Sequence, residues 1–389
     1  MKELRLISTI LIGIFCLTNC ITPYEPEDVK STAGLLVVEG KILEQSGTYV
    51  QLSRTKSINE SDKDYEKIDN ANVKLLCSNG QEWNLQPKMD EGERVAGTYI
   101  LQEEFLYDMT QTYAFDIKIN GSHYQSEFVT PIKTPEISDV KYKTEDNGTQ
   151  VNILVSTQDP NNEVLYYRWD CQEDWELVTK HLVTQYWDPD RKEVMTIYDL
   201  DKFNLYYCWT NRDPSNFALG SAKEHVSATI IDHTVLELEG GKDTRFTYLY
   251  SVLVKQYGID KKAHTYFSQV KSYIEEMGGL FAPQPTDLKG NIYCLSNPEE
   301  KVIGYVFAAT ETSRRLFIDA KDVPEMKYIY PQSNEQLFPP NESMAAYNAG
   351  LGILYSDPDG YYWINRRCVD CRALGGTKNK PEWWPTDHN

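Results

Sequence analysis

Tyr113-Ala114-Phe115-Asp116-Ile117-Lys118-Ile119-Asn120-Gly121-Ser122-His123-Tyr124-Gln125-Ser126-Glu127-Phe128-Val129 is the stretch whose pattern decides the fold class. Tyr113, Phe115, Ile117 and Ile119 occupy alternate positions, so they share one face of an extended chain. Asn120-Gly121 follows, the dipeptide that most readily takes the positive φ angles of a tight hairpin turn, and Ser122 to Val129 returns. The same grammar recurs on both sides. Val73, Leu75 and Cys77 lead to Asn79-Gly80, with Gln81 to Leu85 coming back. Val140 and Tyr142 lead toward Asn147-Gly148, after which Val151, Ile153 and Val155 return. Each hairpin turns one apolar face to a core and one polar face to water.

Outward from these hairpins the chain reads as mainly β, built of tandem β-sandwich domains of the immunoglobulin or fibronectin III kind. Composition agrees, with 27 Tyr, 12 Phe and 8 Trp and little helical periodicity. Residues 34–130 predict an N-terminal sandwich of about seven short strands. Thr130-Pro131 to Thr134-Pro135 reads as a linker, since proline interrupts a ladder. Residues 135–389 predict a second sandwich with an inserted helix and a short C-terminal α+β tail. Strands are expected at Val164 to Cys171, Asn204 to Thr210, Val226 to Ile231, Arg245 to Gln256, Asn291 to Leu295, Val302 to Ala309 and Arg314 to Ile318. Ala263, Tyr266, Phe267, Val270, Tyr273, Ile274 and Met277 recur at helical spacing. Asp260 is the expected N-cap of that helix, near 260–277, and Gly278-Gly279 its end.

The N-terminus carries a different message. Lys2 and Arg5 precede an apolar run from Leu6 to Leu17, about a dozen residues, the length of a signal-peptide core and too short for a bilayer. The run ends in Leu17-Thr18-Asn19-Cys20, which resembles the lipobox of bacterial lipoproteins. Residues 1–19 are thus expected to be a signal peptide, with Cys20 the lipidated first residue of the mature chain. Residues 20–33, with Pro23, Pro26 and several acids, read as a linker off the membrane. No later stretch approaches the roughly 20 apolar residues of a membrane helix, so lipid is the expected sole anchor.

Charge narrows the partners. With 58 Asp+Glu against 39 Lys+Arg the formal charge is −19, which repels nucleic-acid phosphates and anionic headgroups.

Setting Cys20 aside, Cys77, Cys171, Cys208, Cys294, Cys368 and Cys371 remain, apart from Cys16 in the signal. An even number in an exported chain favours disulfides, and six cysteines allow 15 connectivities. Cys368-x-x-Cys371 is the expected local pair. A thioredoxin-like role would need that motif to open a helix, yet Gly375-Gly376 follows almost at once. Zinc would need four ligands, and no second Cys-x-x-Cys completes a set. Cys171 and Cys208 either bridge or lie separately buried. Cys77 and Cys294 fall in different regions, and nothing in the sequence brings them together.

Catalytic signatures are scarce. The sequence has no Gly-x-Ser-x-Gly elbow, phosphate loop or His-Glu-x-x-His. His225 and His233 stand too far apart to share a metal. Asp188-Pro189-Asp190 and Asp357-Pro358-Asp359-Gly360 have turn chemistry, and calcium would need further oxygen ligands. Tyr361-Tyr362-Trp363 and Trp383-Trp384 are the candidates for a ligand platform or protein interface, against the ordinary alternative of core packing. Trp83, Trp169, Trp175, Trp187 and Trp209 read as core.

Several motifs together resemble one family. They are Val50-Gln51-Leu52-Ser53-Arg54-Thr55, Cys208-Trp209, Val254-Lys255-Gln256-Tyr257, Phe281-Ala282-Pro283-Gln284-Pro285 and Gly290-Asn291-Ile292-Tyr293-Cys294 before Val302-Ile303-Gly304-Tyr305-Val306. The tail adds Cys368-Val369-Asp370-Cys371-Arg372, Gly375-Gly376-Thr377 and Lys380-Pro381-Glu382-Trp383-Trp384-Pro385. The chain is similar throughout its mature length to the Bacteroidota lipoprotein family called domain of unknown function 4249. That resemblance implies an outer-membrane protein that accompanies a TonB-dependent receptor, and it brings no catalytic residues or cofactors. Glu25, Glu27 and Asp28 after Cys20 resemble an acidic export signal, which makes the surface-facing side the expected one. The expected function is therefore non-enzymatic support of nutrient uptake, with a peptide or glycan as ligand. A structural or adhesive lipoprotein is the second reading and an unrecognised hydrolase the third.

Overall fold

The computed structural model describes residues 34–44, 47–55, 66–90, 92–212, 216–223, 227–241, 243–276 and 288–385. Cys20, the signal and linker readings, His225, Val226, Met277 and Phe281 to Pro285 lie outside the described residues.

The Asn-Gly hairpins fold as their pattern dictates. Tyr113–Ile119 pairs antiparallel with Ser122–Ser126, Ile119 facing Ser122 across the turn. Asn120 and Gly121 both take positive φ, 48° and 89°, the mirror-image turn whose twist matches the flanking strands. Asn72–Cys77 pairs with Glu82–Asn84, and Ile137–Glu145 with Gln150–Gln158.

The first sandwich has two facing sheets. One runs Val302–Ala308, Leu36–Ile42, Tyr49–Arg54, Glu93–Ile100, Gln86–Asp90, with Glu66–Lys67 added beside Tyr49–Arg54. The other runs Ile292–Cys294, Ser122–Ser126, Tyr113–Ile119, Asn72–Cys77, Glu82–Asn84. Leu36, Leu52, Leu75, Phe115 and Ile117 fill the space between them. Here the expected boundary needs correction: residues 34–130 do not complete this domain. Val302–Ala308 lies parallel to Leu36–Ile42 and Ile292–Cys294 closes the other sheet. A parallel pair requires a long crossover. Here the chain between the two strands runs through most of the second sandwich, whose strand Glu311–Asp319 follows only after Val302–Ala308. Alternation reveals which face a strand buries, but not which distant strand it pairs with.

The second sandwich opposes Ile137–Glu145, Gln150–Gln158 and Thr229–Glu239 to a sheet ordered Tyr207–Arg212, Tyr166–Val178, Leu249–Ile259, Glu311–Asp319. Phe217–Ser221 extends it along the first half of Tyr166–Val178. Val151, Ile153, Tyr167, Trp169, Tyr250 and Val252 form its core. The Thr130–Pro135 linker is itself ordered. Ile132 donates to Ala308 O and accepts from Thr310, so the outgoing and returning connections run side by side.

The helix spans Lys261–Glu276, and Asp260 Oδ1 accepts from Ala263 N at 2.7 Å as its N-cap. Ala263, Tyr266 and Phe267 are buried against Tyr257, Tyr305 and Phe307, where the two sandwiches meet. Ile274 points to solvent, so the apolar stripe is narrower than its spacing suggested. The C-terminal module is a small sheet ordered Gln336–Phe338, Gly360–Asn365, Leu351–Asp357, with the short helix Ser343–Asn348. The hairpin Gln185–Asp188 and Glu193–Thr196 reaches out of the second sandwich to cover it, placing Trp187 against Ile353 and Trp363.

Candidate interaction surfaces

Deepest in the molecule is a charged cluster that the strand patterns did not announce. Arg168 and Asp170 are two residues apart on Tyr166–Val178 and so project from one face. That face meets Lys41 of the first sandwich, whose Nζ pairs with Asp170 Oδ2. Arg168 Nε donates to Asp170 Oδ1 at 3.0 Å, and all three residues are about 5% exposed. The Arg168 guanidinium lies 4.3 Å from the Phe217 ring and 4.6 Å from Phe267, and Lys41 Nζ lies 4.4 Å from Tyr257. Burial pushes the Asp170 carboxyl upward, but Arg168 and Lys41 outweigh it and hold it below the usual carboxylate range. Burial also lowers Lys41 against the pull of Asp170. The cluster is a charged joint between domains, enclosed by aromatic rings and closed to solvent.

The cysteines pair differently from the expectation. The disulfide joins Cys208 to Cys371, 163 residues apart. Neither Cys368–Cys371 nor Cys171–Cys208 forms, and Cys77, Cys171, Cys294 and Cys368 are free and buried. The physical reason lies in the tail. Trp209 and Thr377 exchange backbone hydrogen bonds, and Cys371 N donates to Leu205 O, which brings Cys371 onto Tyr207–Arg212. Cys368 instead turns toward Pro331 O and packs with Val183 and Ile364. Cys171 faces the second core. Cys77 and Cys294 share the first core without bonding. Burial raises the Cys171 and Cys368 thiols, which disfavours the reactive thiolate. Gly376 is where the tail passes closest: a Cβ there would sit 2.5 Å from Cys208 Cβ and 2.7 Å from Leu177 Cδ1.

The aromatic candidates divide. Trp363 is fully buried and Trp384 nearly so, while Tyr361 packs inward against the Trp363 cluster. Trp363 and Trp384 are core, and Tyr361, partly buried, packs on the core side of its sheet, so none of the three is a platform. Trp383 is 45% exposed beside Phe317, itself 37% exposed. The Arg315 guanidinium lies 3.6 Å from the Trp383 ring centroid and is fixed by Asp174 Oδ2 at 3.0 Å and Ser251 Oγ at 2.8 Å. Trp384 anchors the patch from below, its Nε1 donating to Glu176 Oε2 at 3.0 Å. Tyr362 forms a second surface with Tyr355, their rings stacked at 4.4 Å and 16°. Trp169, Trp175, Trp187 and Trp209 are buried as expected, whereas Trp83 is half-buried.

The remaining polar candidates have local tasks. Asp357 Oδ1 accepts from Asp359 N and Gly360 N, and Asp188 Oδ1 from Asp190 N and Arg191 N. His233 contacts Leu219 O through Nε2 at 2.9 Å and lies over Trp169. Among the described residues no group of three His, Cys, Asp or Glu could hold a metal, and no helix is long and apolar enough to cross a membrane.

A family model described as Domain of unknown function (DUF4249) matches residues 21–315. The chain belongs to that family. The match spans both sandwiches and stops before the C-terminal module, so the DUF4249 region ends within Glu311–Asp319 and the disulfide ties the segment beyond it back to the matched part. No curated protein matches the chain.

Proposed function

We propose that this DUF4249 chain is a lipid-anchored outer-membrane protein of a Bacteroidota cell. In this reading it works beside a TonB-dependent receptor as a non-enzymatic partner in uptake of a nutrient such as a peptide or glycan. Family membership and the apolar run ending at Cys20 support the anchor and the compartment. The observation that carries the partner reading is the Trp383, Phe317 and Arg315 surface. Trp and Arg dominate interface hot spots, and the best anchors are held rigid before binding. Arg315 is fixed by Asp174 and Ser251, and Trp383 is stacked on it, so little ordering entropy remains to be lost on contact.

The test is affinity isolation of the tagged, full-length protein from outer membranes in mild detergent. The receptor co-purifies with the wild type, and its apparent affinity drops about thirtyfold or more for Trp383→Ala with Phe317→Ala, since a hot-spot truncation costs about 2 kcal/mol or more. Recovery of no outer-membrane receptor with the wild type overturns the reading. Labelling with an alkyne fatty acid checks the anchor: Cys20→Ser removes the label, and retained label refutes lipidation at that residue.

A further inference from the structure

We infer that the outer face of the small C-terminal sheet docks a basic protein segment, with the Tyr355–Tyr362 pair stacking an arginine or lysine side chain beside Glu335 and Asp357. This deepens the receptor reading by giving the chemistry of a partner, and rests on it only for that partner's identity.

The face follows from register. Leu337 sits opposite Tyr362, and Tyr362 opposite Tyr355, so the three form one row across all three strands. Their neighbours Tyr361 and Trp363 point the other way, into the core. Leu337 and Tyr355 are 48% and 43% exposed, which leaves an apolar and aromatic row open to solvent. Tyr355 Oη donates to Glu335 Oε2 at 3.0 Å, and Asp357 holds the Tyr362 hydroxyl in the same way. Those hydrogen bonds keep both phenols above their ordinary pKa and the rings in place.

Charge supplies the occupant. The strands Gln336–Phe338, Leu351–Asp357 and Gly360–Asn365 contain no lysine or arginine. Glu335, Asp357 and Asp359 are exposed, and none makes an ion pair among the described residues. The contrast with Trp383 is instructive, because that ring already carries its own cation, Arg315. At Tyr355 and Tyr362 the ring faces and carboxylates are present, and among the described residues no cation lies over either ring. A guanidinium or ammonium stacked on tyrosine while donating to carboxylate combines cation–π attraction with charge-assisted hydrogen bonds.

Fluorescein-labelled hexaarginine and an uncharged hexapeptide of glycine and serine, titrated into the purified protein at low ionic strength, test the inference. Hexaarginine binds and the neutral peptide does not. Tyr355→Ala with Tyr362→Ala weakens hexaarginine about tenfold, Glu335→Gln with Asp357→Asn does so comparably, and Tyr355→Phe with Tyr362→Phe stays within about threefold. Glu103→Gln with Glu104→Gln removes equal charge from an exposed loop elsewhere and leaves affinity unchanged. Equal weakening by the Glu103/Glu104 pair means diffuse electrostatics, and absence of hexaarginine binding means no cation site; either overturns the inference. If the alanine pair fails to fold, the Glu335/Asp357 variant decides. Because this assay needs no receptor, it can fail while the co-purification succeeds, and the reverse.

Discussion

At Asp170 two buried cations converge, Lys41 from the first sandwich and Arg168 from the same strand. Asp170→Leu would leave Lys41 without its carboxylate and Arg168 with only the exposed Glu39, 3.8 Å away, and an uncompensated buried charge costs about 3–5 kcal/mol. Lys41→Met is milder, because Arg168 and Asp170 remain a neutral pair. Urea unfolding should therefore rank Asp170→Leu well below Lys41→Met, and the reverse order would show that the cluster does not bear the load assigned to it. His233 makes a separate prediction. Burial lowers its pKa below the ordinary 6.5, so the folded state prefers the neutral ring and the unfolded chain binds the proton first. Its contribution is complete above about pH 6.5 and is lost as pH falls through the lowered folded value. His233→Gln should flatten the fall in Tm between pH 7.5 and 5 relative to the wild type. Parallel curves would exclude His233 as a source of that slope.

Among the elements, the C-terminal tail depends most on one bond. The Cys208–Cys371 bridge and the Trp209–Thr377 ladder hold it to Tyr207–Arg212, and the tail in turn carries Trp383 and Trp384 to Phe317. Cys371→Ala should cost about 2–5 kcal/mol and expose residues 377–385 to protease before the sandwiches are cut. Cys368→Ala should leave the digestion pattern unchanged. Peptide mapping without reductant should show Cys208 linked to Cys371; a Cys368–Cys371 loop would contradict the pairing. This pairing was beyond the sequence, because proximity along the chain favours Cys368 while the tail's hydrogen bonds select Cys371. The hairpins at Asn79, Asn120 and Asn147 were legible, since turn chemistry and alternation are local. So were the helix and its Asp260 cap. Of the aromatic candidates, only Trp383 and Tyr362 point outward. Alternation within Tyr361-Tyr362-Trp363 divides the run into two inward residues and one outward, but the sign of that alternation depends on what covers the sheet. The Lys41–Asp170–Arg168 joint left only a faint trace, two charges spaced two apart in an aromatic strand.

On the scale of the whole molecule, the two sandwiches are not beads on a string. The first is completed by Ile292–Cys294 and Val302–Ala308, which arrive after most of the second has formed, and the second is completed in turn by Glu311–Asp319. The connections at Ile132 and Thr310 run side by side, and the buried joint at Asp170 lies across the same interface. A fragment of residues 34–135 should therefore fail to fold, although its hairpins obey every local rule. Without Val302–Ala308 the central strand Leu36–Ile42 becomes an edge, leaving a row of unpaired backbone groups open to aggregation. The core also loses Ile292, Val302, Val306 and Ala308, and losing four buried apolar residues together takes a large part of the about 5–15 kcal/mol a domain has to spare. Appending residues 288–310 to that fragment through a long Gly/Ser linker restores both strands and tests the point directly. The extended fragment should be soluble and unfold cooperatively in urea, while 34–135 alone should not. A fragment of 34–135 that folds by itself would show that the returning strands decorate the first sandwich and do not complete it.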